Sequence, residues 1–83
     1  MLYITKHALS QGIIEVNTDE IQELSTKNGR LSFWNKNGLY CSFAKGEWYT
    51  NKSLAVIDAE ARRKKKIAAL EQQIEMLKGI KFE

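Results

Sequence analysis

Short alternating segments of apolar and polar residues fill the first fifty positions of the chain, a pattern typical of half-buried β-strands. The strands predicted from this alternation cover residues 2–7, 13–16, 30–34, 39–43 and 47–50. Residues 21–24 fit either a further strand or the end of a single helical turn capped by Thr18. Residues 25–29, with the composition Ser-Thr-Lys-Asn-Gly, are predicted to form a turn.

Asn37-Gly38 between two alternating segments predicts a β-hairpin. The alternation places two sets of side chains on opposite faces of this hairpin. The expected core face carries Leu31, Phe33, Leu39, Cys41 and Phe43. The other face carries Ser32, Trp34, Tyr40 and Ser42, which leaves the two aromatic residues near solvent if the core face is covered.

Residues 51–78 contain neither Pro nor Gly and are rich in strong helix formers, so they predict one long helix. Thr50 or Ser53 can cap its start, and Gly79 follows its end. The predicted fold is therefore α+β: a small antiparallel meander or an open barrel similar to an SH3 barrel, with four or five strands, followed by the helix. We expect one domain over residues 1–83, made of a β-sheet unit (1–50), the helix (51–79) and a tail (80–83).

The predicted helix has two apolar stripes. The long stripe carries Val56, Ala59, Ile67, Leu70, Ile74 and Leu77 and is interrupted by Arg63. The short stripe carries Leu54, Ile57 and Ala61. We expect the short stripe, together with Val56, to dock on the chain's own sheet.

Ile67, Leu70, Ile74 and Leu77 are spaced by three and four residues, as in about two heptads of a coiled coil. They are expected to face a partner, either a second copy or another protein's groove. With Val56, they form the candidate interface. The open alternative is that the helix lies along its own sheet and every apolar residue belongs to the core.

Five consecutive basic residues, Arg62, Arg63, Lys64, Lys65 and Lys66, occupy the middle of the helix and point in all directions around it. Asp58 with Arg62 and Glu60 with Lys64 are expected ion pairs. A solvated, ion-paired segment is one interpretation. Binding of phosphate, a nucleotide or nucleic acid by this run together with Trp34 and Tyr40 is the other.

The net charge is +3, and residues 51–83 supply all of it, with eight basic and five acidic side chains. Cys41 is the only cysteine, which excludes an intramolecular disulfide. The N-terminus has no signal-peptide pattern, and no apolar run approaches the length of a membrane span. We therefore expect a cytoplasmic protein with no membrane partner.

Candidate catalytic chemistry is sparse. His7 is the only histidine and has no carboxylate, Ser or Cys close to it in the sequence, and Cys41 lies on the expected core face. One His and one Cys cannot form a closed zinc site, and the glycines form no phosphate loop. We expect no cofactor, no metal and no enzymatic activity, unless oligomerisation brings a carboxylate of a neighbouring chain to His7.

Several short segments resemble small accessory proteins encoded by bacteriophages and prophages. The segments are Tyr3, Thr5-Lys6, Ala8-Leu9, Gly12-Ile13 and Gly46-Glu47-Trp48, and on the helix Ala59-Glu60, Arg62, Lys64-Lys65, Ile67, Leu70, Gln73-Ile74 and Leu77. The resemblance implies a protein made inside a bacterial host cell that binds and inhibits a host or defence component, or sequesters one of its ligands. It assigns a role to no individual residue.

The leading hypothesis is a non-enzymatic interaction protein that associates with itself, as a homodimer or higher oligomer, or with a bacterial host protein, through the helix. The second hypothesis is a nucleic-acid or nucleotide-binding protein.

Overall fold

A computed structural model of the protein describes residues 1–82, which form six strands and two helices. The strands are β1 (Leu2–Ile4), β2 (Ile14–Val16), β3 (Gln22–Lys27), β4 (Arg30–Trp34), β5 (Tyr40–Phe43) and β6 (Trp48–Tyr49). The helices are α1 (Ala8–Gln11) and α2 (Lys52–Lys78), and a 3-10 turn covers Thr18–Glu20. The predicted α+β class, with an antiparallel β unit before one long C-terminal helix, is confirmed.

The strands form two three-stranded antiparallel sheets, with the orders β2-β1-β6 and β3-β4-β5. We call them the first and the second sheet. The core lies between them and consists of Leu2 and Ile4 from β1 against Leu31 and Phe33 from β4. The described residues thus contain six strands where four or five were expected, divided between two sheets, and a 3-10 turn lies between β2 and β3. Asn17 stabilises that turn by accepting a hydrogen bond from the Asp19 amide at 3.0 Å.

Two local predictions were wrong. The predicted first strand ends at Ile4, and Ala8–Gln11 form a short helix where a break was expected. Residues 25–27 continue β3 instead of starting a turn, which is confined to Asn28 and Gly29. Both turn residues have positive φ angles, 53° and 80°, which an Asn-Gly pair adopts readily at a two-residue hairpin connection.

The predicted hairpin around Asn37-Gly38 is confirmed by the pairing of β4 with β5. Leu31 lies opposite Phe43 and Phe33 opposite Cys41 on the face toward the core. Leu39 is the exception, because it lies in the turn before β5 and is exposed. The core face of the hairpin is covered by the first sheet and not by α2.

The long helix is capped at its start by neither of the predicted residues, Thr50 or Ser53, but by the residue that follows Thr50. Asn51 is the N-cap, and its side-chain oxygen accepts hydrogen bonds from the amides of Ser53 and Leu54 at 2.8 and 3.4 Å. Gly79 is the C-cap, as expected.

The helix α2 packs on the first sheet and on α1 through a face other than the predicted one. Ala55 is fully buried, and Asp58 and Arg62 are half-buried. The predicted docking stripe is wrong: Leu54, Ile57 and Ala61 are exposed, and so is Val56. Ala55 packs closely there, whereas Asp58 and Arg62 form hydrogen bonds to Thr5, just after β1, and to the Gly46 carbonyl, in the turn before β6.

Candidate interaction surfaces

The end of α2 projects away from the two sheets. Every residue from 63 to 82 is exposed, and the molecule measures 61 × 26 × 23 Å. The alternative in which the helix lies along its own sheet is therefore wrong for this half of the helix.

Four apolar residues form a continuous strip on this projecting segment, and we call them the distal seam: Ile67, Leu70, Ile74 and Leu77. Their exposed fractions lie between 44% and 67%. Helical geometry places residues spaced by three and four positions on one face. The distal seam is thus an apolar surface that the described residues leave uncovered, and Val56 adds an exposed side chain on the same side nearer the sheets.

The docked part of α2 is held by a polar network around Asp58. The buried Thr5 hydroxyl donates a hydrogen bond to Oδ2 of Asp58 at 2.5 Å, and Nε of Arg62 donates to the same oxygen at 3.1 Å. Nη2 of Arg62 also donates to the Gly46 carbonyl at 2.7 Å. Burial raises the pKa of the nearby Tyr49 hydroxyl, and the negative charge of Asp58 raises it further. The network fixes where the helix leaves the sheets, and hence the direction of the distal seam.

Some side chains of the basic run, residues 62–66, form ion pairs within residues 1–82 and others do not. Arg62 belongs to the Asp58 network, which confirms the predicted Asp58–Arg62 pair. The predicted Glu60–Lys64 pair is wrong, because Glu60 pairs with Arg63 instead. Lys64, Lys65 and Lys66 are exposed and form no ion pair within the described residues.

Trp34 and Tyr40 lie on the outer face of the second sheet, with ring centroids 5.2 Å apart in an edge-to-face arrangement. Both are exposed, as expected. Helix α2, however, packs on the first sheet, whereas these aromatic residues lie on the far side of the second. The structure therefore does not bring residues 62–66 together with Trp34 and Tyr40.

A different basic cluster shares the outer face of the second sheet with the aromatic pair. Lys27, Arg30 and Lys45 line a shallow concavity of about 520 Å³ with the hydroxyls of Ser25 and Ser32. Lys27 lies opposite Arg30 in the β3–β4 register. This cluster was not predicted, because Lys27 was expected in a turn. The two-residue hairpin at Asn28-Gly29 was the signal that pairs Lys27 with Arg30.

The remaining candidates for chemistry stand apart from one another. His7 is exposed just before α1, and Cys41 is half-buried beside the core. Among residues 1–82, no three His, Cys, Asp or Glu side chains are grouped so that they could bind a metal ion. Within the same residues, no helix has both the length and the apolar character needed to cross a membrane.

Comparison with protein families, with characterised proteins and with solved structures finds no match to this chain. Among the surfaces described above, the distal seam is an uncovered apolar strip of four residues on one helix.

Proposed function

We propose that the protein is an interaction module that acts by binding through the distal seam, and that it associates with itself there. The observation that carries the proposal is the exposure of Ile67, Leu70, Ile74 and Leu77 on a helical segment in which every residue is exposed. Soluble proteins rarely leave a contiguous apolar strip uncovered unless it is a contact surface.

The size of the seam sets the expected strength of association. Two heptads form a short contact, and part of the energy from burying the apolar side chains offsets the lost freedom of the two chains. We therefore expect a dissociation constant in the micromolar range, weaker than that of an obligate dimer.

Sedimentation velocity at micromolar to submillimolar concentration tests the proposal. The wild type is expected to show a mass that rises with concentration, whereas Ile74→Glu/Leu77→Glu stays monomeric because it places charges in the seam. The matched control is Gln72→Glu/Met76→Glu, which adds the same number of negative charges on the opposite side of the same turns. A wild type that is monomeric throughout, or a control that dissociates as fully as the seam variant, would contradict the proposal.

The resemblance to phage accessory proteins extends the proposal to a component of a bacterial host, which the protein would bind and inhibit. The phage origin and a cytoplasmic location stay predictions. Affinity capture from a bacterial lysate with the wild type and the Ile74→Glu/Leu77→Glu variant as parallel baits tests this extension. A host protein retained by the wild type alone would place its contact at the seam.

A second candidate function, binding of single-stranded nucleic acid, is favoured by the outer face of the second sheet. Lys27, Arg30 and Lys45 can contact phosphates, and bases can stack on Trp34 and Tyr40. Arg30 and Trp34 are four residues apart on one strand, which separates them by roughly 13 Å along the face.

Oligonucleotide titration distinguishes this surface from the basic run on α2. If the sheet binds, Lys27→Glu/Arg30→Glu abolishes binding and reduces its dependence on salt, while Lys64→Glu/Lys65→Glu leaves both nearly unchanged. The reverse result would return the site to residues 62–66, and no binding by the wild type at low salt would remove this candidate.

A further inference from the structure

The residues beside the distal seam determine which partner it fits. In the heptad repeat, Ile67 and Ile74 occupy a positions, and Leu70 and Leu77 occupy d positions. A β-branched residue at a with leucine at d favours a parallel coiled coil of two strands. The apolar pattern is therefore the one that suits a second copy of the same helix.

The charged residues that flank the seam agree with this arrangement. Lys66 occupies a g position, and Glu71 occupies the e position of the following heptad. In a parallel, in-register dimer, a g residue of one helix faces the next e residue of the other. Lys66 of each copy then faces Glu71 of the second copy, which gives two ion pairs of opposite charge.

The other flanking positions add no repulsion to the parallel dimer. Lys78 at e faces Gln73 of the second copy, and Lys64 at e faces its Ala59. An antiparallel dimer with the same seam residues in contact would instead place Glu71 opposite Glu71 of the second copy, and Lys64 opposite its Lys78. Like charges in these positions disfavour that alternative.

The docking of α2 on the first sheet leaves room for the second helix. Ala55 and Arg62, which face the chain's own sheets and loops, occupy c positions, and Asp58 occupies an f position. These positions point outward in a two-stranded coiled coil. Both β-sheet units therefore lie outside the pair of helices, at the same end, and do not obstruct the seam.

Glu60 and Arg63 form a polar layer that marks the N-terminal end of the contact between two copies. These residues occupy the a and d positions of the preceding heptad and pair with each other within one chain. Contact between two copies is thus confined to residues 64–78.

From these observations we infer that two copies of the chain form a parallel, in-register coiled coil over residues 64–78, in which Lys66 of each copy pairs with Glu71 of the other. The inference rests on the proposed self-association and adds its stoichiometry, direction and register.

Charge reversal tests the pairing directly. Lys66 and Glu71 are five residues apart, so they lie on different sides of their own helix and cannot pair within one chain. Lys66→Glu and Glu71→Lys are each expected to raise the dimer dissociation constant about tenfold, because each turns two attractive pairs into repulsive ones. The double variant Lys66→Glu/Glu71→Lys is expected to return to within about twofold of the wild type.

Lys65→Glu is the matched control, because it makes the same charge change at an outward-pointing f position and should leave the dimer unchanged. Recovery in the double variant supports the pairing. A double variant that is as weak as either single variant, or weaker, overturns it.

Disulfide trapping tests the direction of the helices. In a Cys41→Ser background, Lys81→Cys at the end of the seam is expected to form a linked dimer in a glutathione redox buffer, whereas Lys65→Cys remains unlinked. In an antiparallel dimer, the two residues at position 81 would be roughly 27 Å apart and would not link.

The two proposals fail in different ways. A seam-dependent dimer that does not link through position 81, or a seam-dependent trimer, overturns the parallel arrangement alone. A wild-type chain that stays monomeric at submillimolar concentration overturns the self-association as well.

Discussion

At the scale of single residues, Asp58 is the position on which the geometry of the long helix depends. Its carboxylate accepts hydrogen bonds from Thr5, which is fully buried, and from Arg62, which continues to the Gly46 carbonyl. These contacts connect α2 to β1 and to the turn before β6. Because hydrogen bonds are directional, these contacts help to define where the helix leaves the sheets.

Asp58→Ala is expected to lower the free energy of unfolding by about 2–3 kcal/mol, because it leaves the Thr5 hydroxyl buried without a partner. Urea denaturation at low protein concentration measures the change. Glu60→Ala is the control, since it removes a half-exposed carboxylate whose only ion pair among the described residues is with Arg63 on the same helix, and it should change the value by less than about 0.5 kcal/mol. Adding Thr5→Val to Asp58→Ala should recover part of the loss, and no recovery would show that the buried hydroxyl is not its cause.

Tyr49 gives the same region a dependence on alkaline pH. Because burial and the charge of Asp58 raise the pKa of its hydroxyl in the folded protein, the unfolded chain ionises first. The contribution of this shift to the free energy of unfolding is fully present below the ordinary tyrosine pKa of about 10. It is lost as the pH rises through the pKa of Tyr49 in the folded protein.

The urea midpoint of the wild type should therefore fall between about pH 8 and about pH 11 by more than that of Tyr49→Phe. Tyr40→Phe, on the outer face of the second sheet, should decline as the wild type does. Equal declines in all three proteins would contradict the raised pKa.

At the scale of elements, Trp48 joins the two sheets through a hydrogen bond. Its indole nitrogen, on β6 of the first sheet, donates a hydrogen bond to the Gly29 carbonyl in the β3–β4 turn at 2.8 Å. Its ring also packs against the core. Trp48 therefore fixes the second sheet relative to the element that carries α2.

Trp48→Phe is expected to lower the free energy of unfolding by about 1 kcal/mol or more, since the Gly29 carbonyl loses its donor and the core loses ring volume. Trp34→Phe, which replaces an exposed indole by a smaller ring, should lower the free energy of unfolding by less than half as much. Thermal unfolding followed by circular dichroism compares them, and equal losses would show that the contact between the sheets is unimportant.

The elements differ in how far they could be predicted from the sequence. The hairpin and the long helix were predicted because local signals define them: Asn-Gly at the turn, and a long run of helix formers that ends at Gly79. The division into two sheets was missed, since it depends on which strands pair across the chain, as when β6 returns to β1. The docked face of α2 was mistaken because Asp58 and Arg62 look like surface residues until Thr5 and the Gly46 carbonyl are placed beside them.

The candidate surfaces show the same contrast. The distal seam was predicted from spacing alone and is exposed as expected, because no distant part of residues 1–82 covers it. The predicted site that combined residues 62–66 with Trp34 and Tyr40 is not formed. The sequence alone could not show that the two sheets lie between the helix and these aromatic residues. Lys27, Arg30 and Lys45 form a cluster only through the pairing of β3 with β4 and the turn after β5.

At the scale of the whole molecule, the protein consists of a small two-sheet body and a helix that extends beyond it. The long axis of 61 Å greatly exceeds the other two dimensions of 26 and 23 Å. The body holds the first three turns of α2, and the rest carries apolar residues into solvent. A second copy would cover them and add buried apolar surface to a chain that is too small to bury much by itself.

Hydrogen exchange measured at two protein concentrations tests this central claim most directly. Backbone amides of residues 67–77 should become more protected as the concentration rises from low to high micromolar, whereas amides of β4 and β5 should not change. Exchange of residues 67–77 that is fast and the same at both concentrations would contradict the account, because the distal seam would then remain uncovered.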